Sequence, residues 1–386
     1  MKTSHKIIYI DSRKMDKLPN ESIDLIVTSP PYPMIEMWDE VFTGLNKEIG
    51  NALKSRNGPL AFELMNKELD KVWDEAYRVL KNGGIACINI GDATRTINSQ
   101  FSLYTNHSRI QQYAQKIGFS ALPAILWRKQ TNAPNKFMGS GMMPPGAYVT
   151  LEHEYVLVLR KGNKKEFKTD KEKKLRRESA FFWEERNNWF SDVWMDLKGT
   201  SQSLFDSKTR GRSAAFPFEL PYRLITMFSI KEETILDPFL GIGTTMFAAM
   251  SAGRNSVGYE IDKNFHEMVL SKLPGIVSFS KSRIVQRLEK HSEFVEAQYK
   301  KRGKFKYLNR WYKFPVMTRQ EKELLIDELN SVSQTGENSF EAIYSDEPHS
   351  EYSEDWNGYV VSDHEKPETP AKPRKRKSNH KQQNLF

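Results

Sequence analysis

Ser29, Pro30, Pro31 and Tyr32 are the residues of this chain best placed to do chemistry together, at the end of the stretch Ser22-Ile-Asp-Leu-Ile-Val-Thr-Ser-Pro-Pro-Tyr32. The two prolines have no N–H and a fixed φ, so the backbone beyond Ser29 is stiff and extended and sets the distance and angle of Tyr32. A hydroxyl, a carbonyl outside any ladder and an aromatic ring are thus held together. A second candidate is Asp237-Pro-Phe-Leu-Gly-Ile-Gly-Thr-Thr245. Glycines in such a turn let backbone approach a ligand closely, and the helix that follows offers free N–H groups at its N-terminus. Glu260, about twenty residues past the turn, stands where an acid suits a ribose hydroxyl pair.

The elements that must position these groups are legible as periodicities. Apart from Asp24, Ile23 to Val27 is an apolar, partly β-branched run that reads as a largely buried strand, and it delivers Ser29 to the carboxyl edge of a sheet, where open α/β sheets bind ligands. Thr234 to Leu236 is a second short strand with Asp237 at its end, followed by a helical pattern through Met246, Phe247 and Met250. Ser256 to Glu260 is a third. Read alone, the first motif is equally a strand ending in a proline turn, and a lone Gly-x-Gly is a weak signal.

Thr28-Ser-Pro-Pro-Tyr32 resembles the catalytic motif of amino-group DNA methyltransferases, in the form usual for cytosine-N4 enzymes. The Asp237 to Thr245 string resembles the S-adenosyl-L-methionine motif of the same family. The resemblance implies that Ser29 and the Pro30 carbonyl accept hydrogen bonds from the exocyclic amine of a flipped base, and that Tyr32 stacks on that base. Pulling on the amine hydrogens favours a more tetrahedral nitrogen able to attack a methyl sulfonium. It further implies cofactor contacts from Asp237, Pro238, Phe239, Gly241, Gly243, Thr244, Thr245 and Glu260, and from Asp11 at the end of the first strand. Asp11 is also suited to cap a helix. The order of catalytic motif, recognition region and cofactor motif is the permuted, β-class arrangement. The implied fold is an α/β, Rossmann-like mixed sheet of seven strands with helices on both faces, carrying a smaller target-recognition region.

Composition bounds the alternatives. The chain has 386 residues and a net charge of +9. Residues 331–365 carry nine acids and no Lys or Arg, and 366–386 carry seven bases and one acid, which leaves about +12 on residues 1–330. A body this basic fits a polyanion, here double-stranded DNA. No apolar run reaches membrane-span length and the N-terminus has no signal-peptide core, so a soluble, intracellular protein is expected, and the resemblance implies a prokaryotic cytoplasmic enzyme associated with the nucleoid. The one cysteine, Cys87, follows Ala86 in an apolar run and not a proline, which argues against cytosine-C5 chemistry. The eight histidines are scattered, and no metal is expected.

Along the chain, residues 1–160 read as the catalytic half, 161–212 as the target-recognition region, 213–274 as the cofactor half, 275–330 as a helical accessory region and 331–386 as a disordered tail. Residues 40–60 read as a mobile loop, Ala61 to Leu80 as an amphipathic helix and Glu321 to Leu329 as another helix. Pro33 to Asp39, with Trp38, reads as a pocket wall or as packing. The recognition region pairs a run of nine bases in Lys161 to Arg177 with Phe181, Phe182, Trp183, Trp189, Phe190 and Trp194, and Arg186, Asn187, Asn188 and Gln202 are of types that read base edges. His153 is expected to pack or to contact DNA backbone. The last five residues, Gln382 to Phe386, resemble a peptide that docks on the replication sliding clamp. The function expected is methylation of cytosine N4 in duplex DNA within a restriction-modification system. Adenine N6 is the alternative, and a non-catalytic module binding cofactor or DNA is the alternative of another class.

Overall fold

The structure, a computed structural model, describes residues 1–129, 143–146, 148–197, 216–350, 356 and 358–361. Its strands are β1 (Lys2–Ile8), β2 (Ile23–Thr28), β3 (Leu80–Ile90), β4 (Ala93–Ile97), β5 (Gln100–Tyr104), β6 (Phe119–Arg128), β7 (His153–Lys161), β8 (Val193–Trp194), β9 (Thr234–Asp237), β10 (Asn255–Tyr259), β11 (Tyr307–Leu308), β12 (Pro315–Val316), β13 (Leu329–Gly336) and β14 (Ser339–Tyr344). Ten of them form one sheet in the order β13-β14-β1-β10-β9-β2-β3-β7-β6-β8. The middle seven are the expected mixed sheet, parallel from β1 to β3 and antiparallel at β7 and β6.

The helices are α1 (Asp39–Leu45), α2 (Lys47–Lys54), α3 (Gly58–Val79), α4 (Asn106–Lys116), α5 (Asp170–Glu178), α6 (Trp183–Trp189), α7 (Glu219–Phe228), α8 (Thr244–Ser251), α9 (Phe265–Leu270) and α10 (Leu273–Arg302). They cover the sheet on both faces because the central strands are apolar on both faces. In β2, Ile23 and Ile26 face a core built with Phe42, Ile49, Met65, Trp73 and Ile110, whereas Leu25 and Val27 face one built with Leu224, Phe247 and Met250. α3 starts where Asn57 accepts from the Leu60 N–H at 3.1 Å, with Pro59 in its first turn, and its buried stripe runs Met65, Leu69, Val72, Trp73, Ala76. A third core lies between α10 and the C-terminal segment, around Phe182, Leu288, Phe305, Phe314, Leu324 and Trp356.

Four expectations are corrected here. Residues 40–60 are not a loop: α1 and α2 bury Phe42, Ile49 and Ala52, and Asn46 caps α2 through the Glu48 N–H at 3.0 Å. Glu321 to Leu329 is not a helix, since only a 3-10 turn spans Arg319–Glu323 and Leu329 opens β13. Nor does the expected disordered tail begin at residue 331. β13 and β14 form a hairpin that extends the sheet beyond β1, with Phe340, Ala342 and Tyr344 buried and Tyr344 Oη bonded to Thr3 at 2.9 Å and to the Met250 carbonyl at 2.6 Å.

The fourth concerns the basic run. β7 is antiparallel, so Lys161 leaves it at the amino edge of the sheet, opposite Ser29. There Lys165 pairs with buried Asp24 at 2.7 Å and with Glu233 at 2.5 Å, and Lys171 pairs with Glu232 at 2.7 Å. Three of the aromatics that follow are core: Phe182 stacks on His291 of α10 at 3.9 Å, and Trp189 and Trp194 are buried, whereas Phe190 is exposed. The chain regains the carboxyl edge only at β8, which pairs parallel with the end of β6.

Candidate active site

The turns that follow β1, β10, β9, β2 and β3 open on one edge, because these strands are parallel neighbours. β2 and β9 are directly adjacent, with Leu25 opposite Ile235 and Ile26 opposite Leu236. Two segments more than two hundred residues apart in sequence therefore meet side by side. A hydrogen bond joins them: Thr28 Oγ1 donates to Asp237 Oδ1 at 2.6 Å. Thr245 Oγ1 donates to Asp237 Oδ2 at 2.6 Å and the Phe239 N–H to Oδ1 at 3.0 Å, so one carboxylate ties the catalytic strand, the Gly-rich turn and the start of α8 together. Burial raises the Asp237 pKa to about 6, against the pull of the Thr245, Thr28 and Phe239 donors.

The turn itself needs glycine twice. Gly241 (φ 52°) and Gly243 (φ 84°) lie in the left-handed region, and a Cβ on Gly241 would meet nothing within 4 Å, which leaves open space above the backbone there. Thr244, the first residue of α8, is buried with its Oγ1 unpartnered. Glu260, at the end of β10, accepts the Gly241 N–H on Oε2 at 2.7 Å and the Asp262 N–H on Oε1 at 2.8 Å. Burial raises its pKa against those backbone donors. Each carboxylate oxygen keeps a second acceptor site for a hydroxyl.

Asp11 follows β1 on the same edge, and Glu260 N bonds the Ile8 carbonyl at 3.1 Å. Its carboxylate closes a local turn on Arg13, taking the backbone N–H at 2.9 Å and Nε at 2.8 Å, and Arg13 in turn reaches Glu68 of α3. Burial opposes its ionisation, yet the Arg13 hydrogen bonds and charge hold it below the ordinary carboxylate value.

On the other side of Asp237, Ser29 Oγ lies 3.2 Å from Tyr32 Oη. Gly91, after β3, lets the ring sit close: a Cβ there would come 2.8 Å from Tyr32 Cε2 and 3.3 Å from Glu154 Cγ. The Asn89 amide donates from Nδ2 to Tyr32 Oη at 3.0 Å and to Glu154 Oε2 at 2.7 Å, and Glu154 is paired with Lys129. Burial first, and the Glu154 charge second, push the Tyr32 phenol well above its ordinary value, so it is neutral and can donate. Asn89, Lys129 and Glu154 carry no motif and sequence reasoning missed them. The one available signal was an acid, Glu154, leading an otherwise apolar strand.

His153 packs edge-on to Tyr155, and Tyr155 stacks on His107, whose Nδ1 is 2.8 Å from Asp92. Cys87 is fully buried on β3 and burial raises its thiol pKa, as befits a core residue. Arg186, Asn187 and Asn188 are exposed, with Asn188 bonded to Asp196 at 3.0 Å. Gln202 and Gln382 to Phe386 lie outside the described residues.

The family model described as DNA methylase matches residues 23–271, more than half of the chain. The chain belongs to this DNA methylase family. It is 50% identical over 347 residues to type II methyltransferase M.MthZI of Methanothermobacter thermautotrophicus, covering 90% of this chain and 96% of that one. It is 51% identical over 282 residues to type II methyltransferase M.MjaI of Methanocaldococcus jannaschii, covering 70% and 91%. Among solved structures it is similar to a provisionally assigned DNA modification methylase from Thermus thermophilus complexed with S-adenosyl-L-methionine, with a TM-score of 0.54 and 29% identity over 69% of this chain and 92% of that one. This DNA methyltransferase uses S-adenosyl-L-methionine, and the open space over Gly241, the unpartnered Thr244 hydroxyl and the acid at the end of β10 fit that cofactor. Among the described residues no helix is long and apolar enough to cross a membrane.

Proposed function

We propose that this methyltransferase modifies the N4 amine of a cytosine flipped out of duplex DNA, as the modification enzyme of a restriction-modification system. The observation that carries the reading is the Ser29 hydroxyl, held beside Tyr32 and one strand away from the Gly-rich turn. In the family that Thr28 to Tyr32 resembles, adenine enzymes usually carry Asp or Asn where Ser29 stands. Ser29 Oγ and the Pro30 carbonyl accept from the amine, Pro31 fixes the bend, and the Tyr32 ring stacks on the base and offsets part of the few kcal/mol that unstacking costs.

Glu260 takes the ribose hydroxyls and Asp11 lies near the adenosine. The backbone of Pro238 to Gly243 lines the cofactor, and Thr244 and the α8 N-terminus offer donors to its carboxylate. Asp237 and Thr245 hold that turn against β2. S-adenosyl-L-methionine supplies an electrophilic methyl carbon, and the protein contributes alignment and a tuned amine without a covalent enzyme intermediate.

Duplex DNA approaches the carboxyl edge, and the protein works in the prokaryotic cytoplasm at the nucleoid. The tail Gln382 to Phe386 is proposed to dock on the sliding clamp. Fluorescence anisotropy of the tail peptide with a clamp tests this, and no clamp-dependent signal ends it. Nucleoside mass spectrometry of plasmid exposed to the protein tests the main reading. N4-methylcytosine is expected, and N6-methyladenine as the sole product would overturn it.

A further inference from the structure

The network behind Tyr32 is more ordered than a stacking ring needs. Ser29 Oγ has one hydrogen and two lone pairs, and it can accept from an amine only while its own hydrogen points elsewhere. The neighbour within reach is Tyr32 Oη at 3.2 Å. Tyr32 Oη already receives Asn89 Nδ2 at 3.0 Å, and Asn89 spends its other N–H on Glu154 Oε2 at 2.7 Å. Asn89 keeps this orientation although it leaves Oδ1 buried without a partner. A carboxylate beside the amide accounts for that, because it accepts and never donates. Glu154 is 8% exposed and is in turn fixed by Lys129, which also lies over the Trp127 ring at 4.6 Å. Asn89 fills one lone pair of the phenol and Glu154 draws the phenol hydrogen to its own side, so direction is imposed from the charged end and the second lone pair of Tyr32 Oη is left for the Ser29 hydrogen.

We propose that Glu154 is a positioning residue which, through Asn89 and Tyr32, orients the hydroxyl chain so that Ser29 Oγ presents a lone pair to the amine. Tyr32 receives Asn89 on one lone pair and Ser29 on the other, and its own hydrogen turns to the Glu154 side. An amide at position 154 can both donate and accept. It allows Asn89 to turn over, the chain to reverse and Ser29 to aim its hydrogen at the amine. The inference rests on the reading that Ser29 accepts from the amine, and Ser29→Ala tests that reading separately: an unchanged rate would refute it.

The test is a double-mutant cycle of Glu154→Gln with Tyr32→Phe in the full chain. Single-turnover methyl transfer is measured with labelled S-adenosyl-L-methionine on unmethylated plasmid that the wild type labels, alongside cofactor and DNA affinities. E154Q is expected to lower the rate by about 10- to 100-fold, the worth of one hydrogen bond to a charged group, with both affinities within about twofold. Glu154→Asp should recover most of the rate. In the Tyr32→Phe background, where the linking oxygen is gone, E154Q should change the rate by less than about twofold. Equal losses in the two backgrounds, or a loss confined to affinity, would overturn the proposal. Should E154Q not fold, Asn89→Ser breaks the same link without leaving Lys129 unpaired, and it must show the same coupling to Tyr32→Phe.

Discussion

Two buried aspartates on neighbouring strands of one sheet have opposite surroundings. Asp24, at the amino end of β2, has two lysines on it, Lys81 at 2.8 Å and Lys165 at 2.7 Å, together with the Thr234 N–H at 3.1 Å. Burial works against its charge, but the Lys165 charge and the two lysine hydrogen bonds prevail, and its pKa is lowered. Asp237, at the carboxyl end of β9, has two threonine hydroxyls and one amide and no cation, and burial lifts its pKa to about 6. The amino edge is therefore closed by ion pairs that engage Lys161, Lys165 and Lys171 of the basic run. The carboxyl edge braces its strands with neutral donors and leaves the Asp237 carboxyl without a cation. Basic residues near a sheet do not by themselves mark the nucleic-acid face.

The contrast can be broken at either end. Asp237→Ala should do the greater damage, since Thr28, Thr245 and the Phe239 N–H lose a buried acceptor at about 1 to 3 kcal/mol each before relaxation. A loss of about 3 to 5 kcal/mol in urea unfolding is expected, with weakened cofactor binding by calorimetry. Asp24→Ala should cost about 2 kcal/mol, because Lys81 and Lys165 are partly exposed and can turn to water. Cofactor affinity should not change.

The pH dependence sharpens the comparison. Asp237 binds its proton more tightly folded than unfolded, so its contribution favours the folded state at low pH and is lost as pH rises from about 4 to about 6. Asp24 behaves oppositely, and its stabilisation disappears as pH falls below the ordinary carboxylate range. Asp237→Asn should therefore remove a gain on the order of 2 kcal/mol between pH 7 and pH 4 relative to wild type, and Asp24→Asn should not, as measured by denaturant titrations across pH. The smallest effect is expected at Gly91. Gly91→Ala crowds Tyr32 Cε2 at 2.8 Å and should slow single-turnover transfer by roughly tenfold while stability changes by about 1 kcal/mol.

What was legible in the sequence follows from how local each signal was. β2, β9 and β10 are short apolar runs ending in motif residues, so strand, edge and site came together. The β4–β5 hairpin was missed because its turn is built by Asn98 (φ 53°) and Ser99 (φ 61°) instead of the usual Asn-Gly. α1 and α2 were masked by Gly44 and Gly50, read as punctuation although Phe42, Ile49 and Ala52 give a buried stripe. In β14 every second residue faces solvent, and an acidic average hid the alternation of Phe340, Ala342 and Tyr344. Asn89 on β3, Glu154 on β7 and Lys129 just past the end of β6 meet only through register, with Asn89 opposite Val156 and Trp127 opposite Glu154.

The division of labour along the carboxyl edge is tested most directly by Ser29→Ala, with methyl transfer and cofactor affinity measured on the same preparation. The account predicts a single-turnover rate lower by about 100-fold or more with the cofactor Kd within about twofold. A parallel loss of cofactor affinity, or a rate left intact, would contradict it.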